Sequence, residues 1–87
     1  MKNKIGRFLV VYDGDTEEVS ELIALDNVDL DTLKDLLDVP PTDPEMHDRY
    51  VVGPDEFEQI SSYFPEKVEP DFSQNAYFVE AIVEDLQ

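Results

Sequence analysis

The sequence predicts an α+β domain in the order ββαβαβ: a four-stranded, mainly antiparallel sheet with two short helices packed on one face. Three observations predict it. An Asp-Gly turn at residues 13–14 joins two segments rich in β-branched and aromatic residues. Leu30, Leu33, Leu36 and Leu37, and further on Phe57, Ile60 and Phe64, recur at helical spacing. The run AYFVEAIV (76–83) then alternates along its length as a strand does. Two helices over one sheet face would bury both apolar stripes.

Each element has its own reasons. IGRFLVVY (5–12) is apolar on most of both faces, which marks a central strand. Asp13-Gly14-Asp15-Thr16 is turn chemistry, with Asp-Gly favouring positive φ. EEVSELIAL returns antiparallel, with Val19, Ile23 and Leu25 on one face and Glu21 intruding. Asp29 is placed to cap the first helix, Asp31 suits its first turn, and Pro40-Pro41 stops it. PPTDPEMHD is a proline-rich loop, and RYVV (49–52) a short third strand. Gly53-Pro54 opens the second helix, with proline at the tolerated first position, and Pro65 closes it. EKVEPDFSQN is an irregular connection. On the last strand Tyr77, Val79, Ala81 and Val83 share a face, Glu80 interrupts the other, and EDLQ is expected to fray.

Eighty-seven residues make a single domain, 1–87. A chain this short buries roughly 60–65% of its unfolded surface, so its stability is expected to be modest. The absence of cysteine excludes disulfides and thiolate-bound metals. The basic N-terminus followed by Phe8–Tyr12 superficially resembles a signal peptide, but the acidic turn makes it a strand. No stretch approaches the roughly 20 apolar residues that span a bilayer. The expectation is a soluble, cytoplasmic protein.

Charge is the outstanding quantity: 22 Asp and Glu against 6 Lys and Arg, a net charge of −16. A magnitude of about 2–8 already serves solubility in a small domain. This field repels nucleic acid and anionic lipid and draws in cations. No basic patch with interleaved aromatics exists, so neither nucleic acid nor membrane is an expected partner.

The catalytic and metal readings are weak. YDGDTEEVSE (12–21) could be a calcium loop, and Asp13, Asp15 and Glu17 fit the first, third and fifth ligand positions. Glu18 then stands where the loop needs glycine, and Ala24 where it needs a bidentate glutamate. His47 lies in a loop beside Asp48, but neither Ser20, Ser61, Ser62 nor Ser73 has the glycine spacing of a nucleophile elbow. No glycine-rich phosphate loop occurs. The expectation is a non-enzyme without metal or cofactor.

What remains is acidic surface. Asp29, Asp31, Asp35 and Asp38 follow the first helix and its cap. Asp43, Glu45 and Asp48 continue through the loop, and Asp55, Glu56 and Glu58 resume on the second helix. Asp35 and Asp38 oppose the helix dipole at about 0.3–1 kcal/mol each, a cost that suggests a use. Tyr63 is the tyrosine expected to be exposed beside them, as an aromatic anchor in a charged rim.

The hairpin around YDGDTEE, then NVDLDTLKDLLDVPPTDPEM, RYVVGPDEFEQISSYF and DFSQNAYFVEA, together resemble a family of short acidic bacterial proteins of unknown function, many encoded near polymorphic toxins. In size and acidity the chain is also similar to immunity proteins of contact-dependent growth inhibition systems. That resemblance implies a cytoplasmic protein that binds and neutralises a cognate toxin domain without chemistry of its own. It assigns no individual binding residue, and the sequence lacks the all-helical pattern of nuclease-colicin immunity proteins. A nuclease-type toxin presents a basic groove to phosphates, which carboxylates can occupy or shield. The alternative is a DNA mimic that blocks a DNA-binding protein, which requires carboxylates spaced like phosphates along an elongated surface. The sequence leaves the oligomeric state open.

Overall fold

A computed structural model describes residues 2–86. Its first strand, β1 (Lys2–Asp13), lies between β2 (Val19–Ala24) and the last strand, β4 (Asn75–Leu86). A two-residue β3 (Tyr50–Val51) pairs with β4 and completes the order β2-β1-β4-β3. Every pairing is antiparallel. The helices are α1 (Leu30–Leu36) and α2 (Pro54–Ile60), the latter extended by a 3₁₀ turn over Ser61–Tyr63. The protein is thus an α+β fold with one antiparallel sheet.

β1 is central because both its faces are apolar. Leu9 and Val11 turn toward the helices, while Val10 on the reverse face is only 2% exposed. The core joins Leu9, Val11, Ile23, Tyr77 and Val79 from the sheet to Leu33 of α1 and Phe57 and Ile60 of α2. Both helices therefore cover the same side. β1 and β4 pair from Lys2↔Leu86 to Asp13↔Asn75. Val83 shares the parity of Val79 as expected, yet it is exposed and lies outside the core cluster. Residues 84–86 of EDLQ, expected to fray, are placed in β4 and pair with β1, while Gln87 lies outside the described residues.

The first hairpin forms, but by different turn chemistry. No glycine has positive φ, and Glu17 takes that conformation instead at 62°. The Asp13 carboxylate accepts the amides of Asp15 and Thr16, and the Glu17 amide donates to the Asp13 carbonyl. Gly14 is needed for a close approach: its amide donates to the Gln74 carbonyl at 2.8 Å.

α1 begins as expected, with Asp29 accepting the Thr32 amide at 2.8 Å. It ends before the prolines, at a left-handed residue. Asp38 has φ 52°, its amide donates to Asp35, and the Val39 amide donates back to Lys34. This is the Schellman closure, which usually employs glycine. Asp38 thus has a local conformational part, since aspartate tolerates left-handed backbone better than most residues. Asp38→Gly and Glu17→Gly should each raise stability by about 0.5–1 kcal/mol, by releasing backbone strain and one negative charge. Urea midpoints of the two variants check this, and a fall in both would contradict it.

Candidate functional site

The acidic residues fall into two groups, according to whether the fold uses them. Asp29, Asp43 and Glu56 accept hydrogen bonds within the chain. Asp29 caps α1, and Thr32, through its hydroxyl and then its amide, holds that carboxyl below the usual range. Glu56 Oε1 accepts the Gly53 amide at 3.0 Å and so closes the start of α2.

Asp43 organises the 40–49 loop. It accepts the Tyr50 hydroxyl, the His47 amide at 2.8 Å and the Asp48 amide at 3.0 Å. These donors, Tyr50 foremost, lower its pKa from an ordinary 3.8 to about 2. In return the Tyr50 hydroxyl is pushed up to about 12. Two further contacts hold the loop. Met46 is buried despite a φ of 53°, and Arg7 of β1 donates through Nη2 to the Glu45 carbonyl. Because the folded pKa of Asp43 is depressed, its contribution is complete above about pH 4 and disappears as pH falls through about 2. Asp43→Asn should therefore destabilise the protein at neutral pH, with the gap to wild type narrowing between pH 4 and pH 2. Denaturant unfolding at a series of pH values measures that gap.

The second group is exposed, with side chains that accept no hydrogen bond among the described residues: Asp31, Asp35 and Asp38 at α1, Glu45 and Asp48 in the loop, and Asp55 and Glu58 on α2. The Asp38 backbone nevertheless closes α1, and Glu45 lies 3.9 Å from His47 Nε2. α1 and α2 pack against one another, so their carboxylates belong to one layer on one side of the sheet. The reverse side differs. There Glu80 is engaged by Arg49 at 3.9 Å and by the Tyr12 hydroxyl, and Arg49 lies over the Phe78 ring at 4.7 Å. Glu80 raises the Tyr12 pKa by accepting a hydrogen bond from its hydroxyl.

Tyr63 is half-buried, in the same range as Tyr12 and Tyr50, while Tyr77 is buried. The aromatic feature on the acidic side is a different one. α2 and the segment after it enclose a groove of about 680 Å³, lined by Phe57, Phe64 and Phe72 with Pro54, Pro65, Pro70 and Val68. Phe72 remains 37% exposed, although it packs on Tyr77 at 4.8 Å and on Phe57 at 5.8 Å. Glu58, Glu66 and Lys67 border the groove, with Lys67 paired to Glu69 at 3.2 Å. The sequence signal for Phe72 was an aromatic between polar residues, just beyond Pro70, in a segment with no periodicity.

The Asp13–Glu18 turn spends the Asp13 carboxylate on its own backbone. Among the described residues no three His, Asp or Glu side chains gather as a metal would require. Likewise no helix among them is long and apolar enough to cross a membrane.

Fold and surface together define an acidic single-sheet α+β domain with an apolar groove beside its second helix. The chain belongs to the family described as Domain of unknown function (DUF7683), which matches residues 6–80. That span takes in all of β2, β3 and both helices. No curated protein and no solved structure matches the chain.

Proposed function

We propose that this protein is an immunity-type inhibitor acting in the cytoplasm, one that binds a basic toxin domain through its helical layer and performs no catalysis. The observation that carries the reading is the groove beside α2, floored by the buried Phe57 and Phe64 and presenting the 37% exposed Phe72, near the free carboxylates of α1 and α2. Aromatic anchors in a desolvated centre with a charged rim are the usual anatomy of tight interfaces. The division of labour is physical. Carboxylates accelerate encounter with a positive surface, and apolar contacts slow release.

The protein encoded immediately upstream supplies the test, in a co-expression and binding assay. Protection of cells and direct binding are expected. Asp55→Lys combined with Glu58→Lys should lower the association rate about 10–100-fold at low salt. Phe72→Ala should instead raise the dissociation rate at least about tenfold. No binding and no protection by the wild-type chain would end the toxin assignment.

A further inference from the structure

The sheet ends on one side at β2, whose outer edge pairs with no strand among the described residues. The Leu25 amide donates to the Arg7 carbonyl at 2.9 Å, and the register runs on through Leu9↔Ile23 and Val11↔Glu21. Antiparallel pairs alternate between bonded and non-bonded positions, so Leu22 and Ala24 turn their N–H and C=O groups away from β1. No loop or cap backbone among the described residues meets them. A groove of about 380 Å³ lies there instead, lined by residues 21–24 of β2 and by the 65–69 segment. Unpaired strand backbone of this kind is a template for another strand.

We infer that this edge takes an extended, basic segment of a partner protein as an added strand. The backbone specifies an extended peptide, because alternating N–H and C=O groups satisfy Leu22 and Ala24 together. The side chains specify its charge. Glu21 shares the helix-side parity of Ile23 yet is exposed, and Glu66 and Glu69 line the same groove. Lys67 pairs with Glu69 at 3.2 Å, whereas no cation pairs with Glu21 or Glu66 among the described residues. On the opposite parity Leu22 is 53% exposed. A strand alternating cationic and apolar residues would set its cations against Glu21 and Glu66. Its apolar residues would then meet Leu22, as cross-strand neighbours do.

The same carboxylates exclude the competing occupant. A second copy pairing edge to edge would bring its own Glu21 and a net charge of −16 to this groove. Charge on this edge therefore repels one strand and attracts another, a form of selectivity built on repulsion. The other edge of the sheet, β3, offers only two residues. The site lies apart from the groove beside α2, although residues 65–68 wall both.

The test needs no toxin. An acetylated peptide of four Lys-Val repeats is the probe, titrated into the full chain to about 1 mM and followed by NMR and hydrogen exchange. Exchange of the outward Leu22 and Ala24 amides should slow at least about threefold, while Ile23 and Leu25, already bonded to β1, change little. Two altered peptides separate strand pairing from simple attraction. N-methylation of every amide keeps each charge but removes the donors, and should weaken binding at least about tenfold. A Glu-Val peptide of equal length should not bind. On the protein, Glu21→Gln combined with Glu66→Gln should raise Kd about three- to tenfold. Ala24→Pro deletes one outward N–H, a change that an edge strand tolerates, and should raise Kd at least about tenfold. Circular dichroism verifies that both variants fold. Unchanged exchange at Leu22 and Ala24 overturns the inference. So does equal binding by the methylated peptide or by the Glu-Val peptide.

Discussion

Leu33→Ala is expected to cost about 2–5 kcal/mol, the range for removing a buried leucine and leaving a cavity. Leu33 is 1% exposed and is the single buried residue of α1. A seven-residue helix has almost no stability of its own, so its packing is what keeps it formed. A domain of this size has few kcal/mol to lose, so much of its stability would go. Hydrogen exchange should show the amides of α1 losing protection first, and urea unfolding should show the lowered midpoint. The variant would also disturb Asp31 and Asp35 together, so weaker partner binding is expected from a change that touches no charge.

The second large effect is expected at Gly14. A Cβ added there would meet the Gln74 carbonyl oxygen at 2.6 Å, and backbone cannot swing aside. Gly14→Ala should therefore destabilise by about 2 kcal/mol, as overpacking does. Gly53 is the control, because its added Cβ would meet only the mobile Oε1 of Glu56, at 2.9 Å. Gly53→Ala should cost less, on the order of a few tenths to 1 kcal/mol. Thermal unfolding of the pair decides it, and equal losses would contradict the clash.

Local signals in the sequence were reliable where a residue acts on its neighbours. Asp29 caps, Pro54 starts a helix, and the two-sided apolar run of β1 places it at the centre of the sheet. Long-range pairing left no such mark, because nothing near β1 announces a partner as distant as β4. The left-handed residues were also hidden. Glu17, Asp38 and Met46 adopt a conformation usually signalled by glycine, so sequence reading assigned the strain of the first turn to Gly14. The acidic residues showed the opposite difficulty, with too much signal. Twenty-two carboxylates look alike in sequence, and only the fold separates Asp43, bound by three donors, from Asp55 and Glu58, which are free. Phe72 gave almost no pattern at all, since an irregular segment has no period against which to read it.

The pairing of β1 with β4 has a consequence for synthesis. Its partners are about sixty residues or more apart in the chain, the kind of distant closure that slows folding. While the nascent polypeptide is still on the ribosome, β1 can hold β2 alone, a hairpin too small to persist in water. The native sheet must wait for the region from Asn75 onward to emerge, and until then the apolar run Phe8–Tyr12 stays open to chaperones and to aggregation.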